Sequence, residues 1–535
     1  MRDTIQVAGS SQGDTRGVTP SSQTLHLAEI LGALSLATDL ANGNPMETAL
    51  RTCLLAVELA REAGGSEQEI SDAYDAAMLR YLGCTAYASE EAAALGDDIA
   101  AKQLYAPVDW GRKAELLPVT LTGLGKGSGP LKRAKVVAKA LVGANRTFDT
   151  MARSTCEVAV RLAARLGMGA GVTEALGQIY ERWDGKGAPA GSEGKGLSFV
   201  ARVMHVACAA EVHQRLNGSQ AAREMVRRRS GSHFDPSIAR AFDRCAEALL
   251  KKLEALSVWD AVLAAEPGKR PMEDTSRLED VARAFGDFVD LKSAYTLGHS
   301  SGVAALAEAA GKAAGLDEAM CTAMRQAGFL HDLGRVSVPT NIWEKRGPLS
   351  AAEWERVRLH SYYTERVLVR SPPLSWLGAI AGAHHERIDG SGYHRNTPAS
   401  LLALPQRIMA AADVYQALTE ERPHRPARSP DEAARCLEEE VAALKLDGES
   451  VRAVLEAAGH GRTRKRGVWP KGLSDREVEV LRLVAQGCSN KEVAQKLSIS
   501  ARTVQHHTIH IYDKIGVSTR AAAALFALEN DLLKV

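Results

Sequence analysis

The 535-residue sequence has few aromatic residues (5%), no close pair of cysteines and almost no net charge. Its eight cysteines are widely spaced, from Cys53 to Cys488, which fits neither a disulfide framework nor a zinc ribbon and favours a reducing cytoplasm. Lysine and arginine (66) nearly balance aspartate and glutamate (65), so no overall field attracts the chain to nucleic acid or to a membrane. Any such binding must therefore be local.

Long apolar runs are also missing. The longest, such as residues 521–528, are far shorter than the ~20 residues that cross a bilayer, so we expect no membrane span. Residues 1–24 are polar and rich in serine, glycine and threonine, without the apolar core of a signal peptide. They are predicted to be a disordered tail, and a cytoplasmic location is expected.

Most of the chain has apolar residues at every third or fourth position, among abundant alanine, leucine, glutamate and arginine, which predicts helices almost throughout. Breaks rich in glycine, proline or charge divide it. The predicted regions are 25–265 with an inserted loop near 105–135, 275–458, a basic linker at 459–472, and a small unit at 473–535.

The two large regions look like copies of one another. Residues 181–189 (ERWDGKGAP) align with 386–394 (ERIDGSGYH) at an offset of 205. Further upstream, Leu79 and Gly83 align with Leu330 and Gly334 at an offset of 251. The first copy thus carries 251 − 205 = 46 extra residues between these blocks.

Seven of the fifteen histidines lie between positions 299 and 424. Five of these histidines and two aspartates recur about once per expected helix, so a bundle can turn all seven inward: His299, His331, Asp332, His360, His384, His385 and Asp413. An isolated histidine is usually an ordinary core or surface residue, but imidazole and carboxylate groups together suit a divalent first-row metal. Seven ligands exceed what one ion takes, so two metals that share a carboxylate are expected, which implies phosphoester chemistry.

Five stretches of the second region resemble the HD-GYP subgroup of HD-domain metal-dependent phosphohydrolases: 328–339 (GFLHDLGRVSVP), 347–349 (GPL), 384–393 (HHERIDGSGY), 407–413 (RIMAAAD) and 421–423 (ERP). The resemblance spans about 140 residues, from 285 to 425. It implies a helical domain with two divalent metal ions, iron or manganese, that hydrolyses a cyclic dinucleotide, with cyclic di-GMP as the first candidate.

Site residues are assigned by this resemblance. Asp332, the expected bridge between the metals, and Arg335 are the catalytic residues. The implied metal ligands are His299, His331, Asp332, His360, His384, His385 and Asp413. The implied substrate contacts are Arg335, Asp389, Gly390, Gly392, Tyr393 and Arg422.

The sequence departs from the family pattern at four positions. Arg335 replaces a lysine, His394 a proline, and His424 a tyrosine, while Tyr295 stands where some members have a glutamate ligand for a third metal. A dinuclear centre is therefore expected, and the substrate stays open. Two alternatives remain: a transcription regulator whose HD-GYP region binds a nucleotide without turnover, and a phosphohydrolase that acts on a non-cyclic nucleotide.

The first region resembles a degenerate HD-GYP copy. Opposite the seven ligands, in the same order, it has Thr48, Arg80, Tyr81, Thr155, Ile179, Tyr180 and Cys208. These residues cannot rebuild the metal centre. We expect a structural or regulatory role for this half, and a ligand-sensing pocket is the alternative.

The C-terminal unit has a helix-turn-helix pattern. Ser474 with Glu477 and Ser489 with Glu492 have the spacing of capping boxes, and Ser500 is placed to cap a third helix. Residues 473–527 resemble the LuxR-type helix-turn-helix of bacterial transcription regulators, which implies binding to double-stranded DNA. The implied DNA contacts are Lys491, Arg502, Thr503, Gln505, His506, His507 and Lys514.

The complete prediction is an all-α protein, with tandem HD-type helical bundles followed by a four-helix helix-turn-helix domain. Phosphodiester hydrolysis is expected to be coupled to transcription regulation, and the chain is expected to form a homodimer.

Overall fold

The computed structural model describes residues 25–126, 129–255, 257–268, 270–272, 275–460 and 469–533. These residues are almost entirely helical, and the predicted all-α class is confirmed. The exception is a short antiparallel pair between β1 (Leu25–His26) and β2 (Pro271–Met272). The tail predicted at 1–24 and most of the basic linker, residues 461–468, lie outside the described residues. No helix in the described ranges has the length and apolarity that a bilayer crossing requires.

The first half begins with helices whose bounds follow the apolar periodicity of the sequence. Between residues 105 and 135, where an inserted loop was predicted, lie α6 and the start of the long helix α7. The helices are α1 (Leu27–Ala41), α2 (Thr48–Glu62), α3 (Glu67–Leu79), α4 (Ala88–Leu95), α5 (Asp98–Tyr105), α6 (Lys113–Gly123), α7 (Pro130–Arg165), α8 (Ala170–Gly177), α9 (Phe199–Arg229), α10 (Pro236–Ala255) and α11 (Val258–Ala264).

The second half and the C-terminal unit continue the all-helical pattern. The second half has α12 (Thr275–Asp290), α13 (His299–Ala313), α14 (Glu318–Leu330), α15 (Thr340–Trp343), α16 (Ala351–Leu368), α17 (Pro372–Ala381), α18 (Leu404–Thr419), α19 (Pro430–Ala442) and α20 (Gly448–Ala457). The C-terminal unit has α21 (Asp475–Ala485), α22 (Asn490–Leu497), α23 (Ala501–Ile515) and α24 (Arg520–Glu529). Short 3₁₀ turns occur at Gly194–Gly196, Ala294–Thr296, Leu333–Ser337, Ala399–Leu401 and Pro470–Gly472.

Equivalent backbone contacts recur in the two halves at the start of α2 and of α13. The buried carboxylate of Asp39 accepts a hydrogen bond from the Ala49 N–H (3.1 Å), and that of Asp290 accepts one from the Ser300 N–H (3.0 Å). Each helix thus has an aspartate that satisfies an otherwise unpaired N–H of its first turn. Thr48 and His299 therefore occupy equivalent positions.

Two glycines mark a second equivalent contact. A Cβ on Gly83 would lie 2.0 Å from the carbonyl oxygen of Thr155, and a Cβ on Gly334 would lie 2.0 Å from that of His360. Any side chain at either glycine would clash, so both positions require glycine. The contact also places Thr155 and His360 at equivalent positions, as the sequence alignment suggested.

The two halves pack into one continuous hydrophobic core. Helix α1 packs against α16 and the 3₁₀ turn at Leu333–Ser337, so the first helix of the chain supports the second half. A buried ion pair crosses the interface, because Lys292 Nζ lies 2.8 Å from Asp98 Oδ2. The other oxygen of Asp98 accepts a hydrogen bond from the Thr340 N–H (2.8 Å). This buried carboxylate is thus fully partnered, as burial of a charge requires.

The C-terminal unit has a small core of its own and also docks on both halves. Helix α24 packs against α7, and its Leu528 joins the main core. Glu157 on α7 accepts hydrogen bonds from the N–H (3.0 Å) and hydroxyl (2.9 Å) of Ser518. Arg161 donates to the carbonyl oxygen of Gly516 (2.7 Å). The loop before α24 is therefore held by one face of α7.

Candidate metal centre

The seven predicted metal ligands come together in the second half from five segments of the fold. His299 is the first residue of α13, His331 and Asp332 follow α14, and His360 lies within α16. The remaining residues are His384 and His385, which follow α17, and Asp413 on α18. All are buried except His385, which is partly exposed.

Asp332 lies between two pairs of histidines. Its Oδ1 atom is 3.4 Å from His360 Nε2 and 3.6 Å from His384 Nε2. Its Oδ2 atom is 3.8 Å from His299 Nε2 and 3.6 Å from His331 Nε2. One oxygen thus faces each histidine pair, which is the arrangement that a carboxylate bridge between two ions needs.

Asp413 also faces both sides of the cluster. Its Oδ1 atom is 3.2 Å from His299 Nε2 and 3.8 Å from His331 Nε2. Its Oδ2 atom is 3.7 Å from His385 Nδ1. The two aspartates therefore supply oxygen ligands among five imidazole rings.

Three of the histidines are oriented in the same way. In each, the Nδ1–H donates to the backbone carbonyl three residues earlier, which leaves Nε2 unprotonated and directed into the cluster. These pairs are His331 with Gly328 (2.8 Å), His360 with Val357, and His384 with Ala381 (2.6 Å). The Nε2 atom of His331 is buried and has no hydrogen-bond partner among the described residues. A metal ion is the kind of partner that satisfies such an atom.

His299 is held by a different partner. Its Nδ1–H donates to Glu420 Oε2 (2.9 Å), and the same oxygen accepts a hydrogen bond from Arg422 (2.8 Å). Burial acts to lower the pKa of His299, but the carboxylates of Glu420 and Asp413 outweigh it and raise this pKa to about 10. The predicted substrate residue Arg422 therefore binds the carboxylate that orients His299.

Electrostatics holds His384 and Asp332 in the forms that bind metal, whereas His299 must lose a proton to become a ligand. Burial, assisted by the charges of His331 and His360, lowers the pKa of His384 to about 3, so its ring is neutral near pH 7. Burial alone would raise the pKa of Asp332, but His331 and Arg335 outweigh it and hold the pKa well below its usual range. Neutral imidazole and ionised carboxylate are the forms that bind metal.

Arg335 is fixed beside Asp332. Its Nη1 atom lies 3.1 Å from Asp332 Oδ2, and its guanidinium carbon is 3.9 Å from the ring centre of Trp343. The Trp343 Nε1–H also donates to the Arg335 carbonyl oxygen (3.1 Å). The cation–π contact and the ion pair hold the guanidinium at the edge of the metal cluster.

The loop after His385 is shaped by its own backbone. Asp389 accepts hydrogen bonds from the N–H and hydroxyl of Ser391, so it closes a turn on the surface. Gly390 has a positive φ of 77°, and a Cβ on Gly392 would lie 2.4 Å from the backbone nitrogen of Arg387. These three residues therefore form the loop itself, whereas their role as substrate contacts stays a prediction.

The loop places Tyr393 over the cluster. The Tyr393 ring centre is 4.6 Å from that of His385, at an angle of 35°. The next residue, His394, turns away and lies 3.0 Å from Glu365. His424 is exposed on the surface. Among the predicted substrate residues of this loop, Tyr393 is thus the one whose side chain contacts a candidate metal ligand, His385.

The cluster fits two divalent ions. Among the described residues, the groups of three ligand atoms close enough to hold one ion are His360, His384 and His385, and His299, His331 and Asp332. Both groups lie in the second half, and Asp332 contacts the first group as well. Mixed imidazole and carboxylate ligands suit divalent first-row metal ions such as iron or manganese.

The predicted DNA contacts lie mainly on exposed positions of the C-terminal unit. Lys491, Arg502, Thr503, Gln505 and His506 are exposed, and His507 is partly buried. Lys514 is exposed as well, but its ammonium group pairs with Glu477 of the same unit (2.8 Å). Val504, Ile511 and Ile515 are buried in its core.

Sequence reasoning missed residues that position the ligands. Glu420 orients His299, Trp343 supports Arg335, and the Thr364 hydroxyl donates to the carbonyl oxygen of His331 (2.9 Å). Glu420 directly precedes the ERP stretch at 421–423, which is the one local signal that pointed to it. No local sequence signal pointed to the contacts of Trp343 and Thr364, which form only when the chain folds.

Comparison with known proteins agrees with this architecture. The HD domain family model matches residues 70–238 and 283–450, more than half of the chain, so the chain belongs to the HD domain family. The model for bacterial regulatory proteins of the luxR family matches residues 471–527. The predicted HD-type and LuxR-type identities are therefore confirmed.

Several similar proteins are phosphodiesterases. The chain is 29% identical over 423 residues to 3′3′-cGAMP-specific phosphodiesterase 3 of Vibrio cholerae, covering 78% of this chain and 92% of that protein. It is 37% identical over 126 residues to a cyclic di-GMP phosphodiesterase of Thermotoga maritima, covering 23% of this chain and 34% of that one. The crystal structure of the cyclic GMP-AMP specific phosphodiesterase V-cGAP3 of V. cholerae matches with a TM-score of 0.58 and 25% identity, covering 82% of this chain and 99% of that chain.

Proposed function

We propose that the second half is a metal-dependent phosphodiesterase that hydrolyses a cyclic dinucleotide. The observation that carries this proposal is the position of Asp332, whose two oxygens face two separate groups of histidines. The ligands His299, His331, Asp332, His360, His384, His385 and Asp413 would hold two divalent ions. Such ions polarise a phosphoryl oxygen and provide an activated water for attack on phosphorus.

The protein groups around the cluster have distinct tasks. Arg335 presents a fixed guanidinium that binds the phosphate and offsets the charge that develops on it. Glu420 holds His299 in the required orientation through its Nδ1 atom. The Tyr393 ring, against His385, forms an apolar wall that a nucleobase can contact.

The likeness over both halves favours 3′3′-cGAMP as the first substrate to test. The similarity to a 3′3′-cGAMP-specific enzyme covers 92% of that protein, whereas the similarity to the T. maritima cyclic di-GMP enzyme covers 34% of it. Cyclic di-GMP, the first candidate from the sequence, is the second substrate to test. A non-cyclic nucleotide would be indicated only if neither is cleaved.

The test compares wild-type protein with Asp332→Ala after anaerobic purification with iron or manganese. Loss of a residue that only hydrogen-bonds to a metal ligand costs about 10–100-fold, so loss of the shared ligand itself should lower turnover at least about a hundredfold and reduce bound metal. The control is Glu355→Gln on α16, the helix of His360, where Glu355 is exposed and forms an ion pair with Arg358 (3.5 Å). Two bound metals without product from either cyclic dinucleotide would contradict the proposal and favour a nucleotide-binding regulator.

We further propose that the C-terminal unit binds double-stranded DNA through the exposed start of α23. Arg502, Thr503 and His506 lie there within two turns of one another. Arg502→Ala should weaken binding to a nonspecific duplex and lower the slope of log K against log salt by about one if it meets a phosphate. Arg452→Ala, an exposed arginine on α20, is the control, and an unchanged slope and affinity for Arg502→Ala would contradict this orientation.

Coupling between the two activities is proposed from the docking of the C-terminal unit. Glu157 and Arg161 of α7 hold its loop at Ser518 and Gly516, and Leu528 reaches the main core. We expect the DNA affinity of the whole chain to differ between the metal-loaded wild type and Asp332→Ala. Equal affinities would mean that enzyme and DNA-binding unit act independently. A homodimer also stays a prediction, which light scattering with and without DNA tests.

A further inference from the structure

A cavity of about 390 Å³ lies in the first half, at the place that corresponds to the metal centre of the second. Six of the residues opposite the metal ligands line it: Arg80, Tyr81, Thr155, Ile179, Tyr180 and Cys208. The shared contact of Gly83 with Thr155 and of Gly334 with His360 fixes this correspondence. The ligand side chains have been replaced, yet the space has not been filled. Its volume lies in the range of small-molecule pockets.

The lining carries a strong excess of positive charge. Its one acidic residue is Glu91. Its basic residues are Arg80, Lys102, Lys139, Arg182, Lys186 and Arg229. A cavity with this balance attracts an anion.

Arg80 is the basic residue of the lining that has a buried guanidinium nitrogen and no carboxylate partner among the described residues. Arg182 pairs with Asp109 and Asp184, Arg229 pairs with Glu115 (2.8 Å), and Lys102 pairs with Glu91 (3.7 Å). By contrast, the Nε atom of Arg80 has no hydrogen-bond partner, and its guanidinium carbon lies 5.0 Å from the ring centre of Tyr81. A buried cation without a carboxylate is costly, so an anionic ligand here would offset a real penalty.

Another part of the cavity wall is aromatic. Trp110 stacks on Phe148 with ring centres 5.2 Å apart and planes at 20°. Tyr105 lies 4.9 Å from Trp110, and Phe148 lies 6.1 Å from Tyr180. Trp110 is 37% exposed at the mouth of the cavity, so a planar ring can reach it from solvent. Exposed aromatic faces of this kind are platforms on which nucleobases stack.

We propose that this cavity binds a nucleotide, with its phosphate at Arg80 and its base against Trp110 and Phe148. An apolar ligand would leave Arg80 without an anionic partner, and inorganic phosphate alone would leave the aromatic wall uncovered. The site has no metal-ligand cluster among the described residues, so it binds without hydrolysis. It adjoins α7, which carries both Phe148 and the residue Glu157 that holds the C-terminal unit at Ser518.

The test uses the full-length chain with Asp332→Ala, so that no probe is consumed at the metal centre. Four probes are titrated by calorimetry: 5′-AMP, 5′-GMP, cyclic di-GMP and 3′3′-cGAMP. For at least one probe, Arg80→Gln and Trp110→Ala, each added to this background, should weaken binding at least about tenfold, through a lost charge-assisted hydrogen bond or a lost stacking contact. Arg61→Gln, an exposed arginine of the same half that pairs with Glu58, should leave binding unchanged.

The probes also identify the source of the nucleotide. Binding of the mononucleotides would assign the site to products or to the general nucleotide pool, whereas binding of a cyclic dinucleotide alone would assign it to the signalling molecule itself. If Arg80→Gln does not fold, Trp110→Ala decides, because Trp110 is partly exposed. The proposal is overturned if no probe binds, or if a folded variant at either position binds every probe as the parent does. Turnover by the wild type is measured separately, so failure here leaves the proposed phosphodiesterase untouched.

Discussion

The first and second halves of this protein have the same framework and different centres. In both, an aspartate caps the helix that bears the first ligand position, and a glycine lies against the helix that bears the fourth. In both, a glutamate holds the loop that follows: Glu181 accepts from the N–H of Ala190 (2.7 Å), and Glu386 accepts from that of Arg395 (2.8 Å). The framework contacts therefore involve backbone groups and do not depend on the metal ligands.

The centres differ in how their buried charges are balanced. In the second half, Asp332 and Asp413 lie among five histidines and Arg335. In the first half, Arg80 and Tyr81 replace His331 and Asp332, and no acidic partner faces Arg80 among the described residues. Loss of the ligands thus left a cationic cavity rather than an apolar core. The comparison indicates that one framework can surround either a cluster of candidate metal ligands or a cavity lined by basic residues.

The largest expected effect comes from the paired glycines. Gly83→Ala and Gly334→Ala should each destabilise the chain by about 1–3 kcal/mol, because each Cβ meets a backbone carbonyl at 2.0 Å. Only Gly334→Ala should also reduce bound metal, since the carbonyl that its added Cβ meets belongs to the candidate ligand His360. Urea unfolding and metal analysis measure both effects, with Gly196→Ala as a control where the added Cβ meets nothing within 4 Å. Equal loss of metal in both variants would break the comparison of the halves.

The next effect concerns the orientation of His299. Glu420→Gln removes the carboxylate that accepts from His299 Nδ1, so we expect a 10–100-fold loss of metal affinity. Competition with a chelator measures this affinity. The adjacent Glu421→Gln is the matched control, because Glu421 is 54% exposed and lies near Lys496 (3.7 Å). Equal affinity for Glu420→Gln and wild type would show that the position of His299 is set by α13 alone.

The smallest expected effect is a pH dependence of the free energy of unfolding that arises from His205 in the first half. Burial lowers the pKa of His205 from 6.5 to about 4. Because the folded state holds this histidine neutral, its contribution is fully present above pH 6.5 and is lost as the pH falls from 6.5 toward 4. At pH 5.5, one unit below the pKa of the unfolded state, the loss should be about 1.4 kcal/mol. His205→Gln should remove this component, which unfolding at pH 7.5 and 5.5 measures; an unchanged pH dependence would show that His205 does not titrate on unfolding.

Much of the fold and the site followed from the sequence. Helical periodicity predicted the all-α class, and the capping pairs Ser474 with Glu477 and Ser489 with Glu492 are formed as expected. The ligand positions were recognisable because the motifs are local stretches with fixed spacing. Glu420 was not recognised as the partner of His299, since 121 residues separate them and nothing local indicates which carboxylate a buried imidazole will meet.

The sequence by itself determined the helices, the internal repeat, which residues are candidates for the metal centre and the helix-turn-helix pattern. These features follow from short-range periodicity and from local motifs, which can be recognised without knowing how distant parts of the chain pack. Only the tertiary structure decided that Asp332 lies between two histidine groups, that Arg80 opens into a cavity and that α24 packs on α7. The physical reason is that an apolar face specifies burial but not its partner, so distant contacts arise only when whole surfaces fit together.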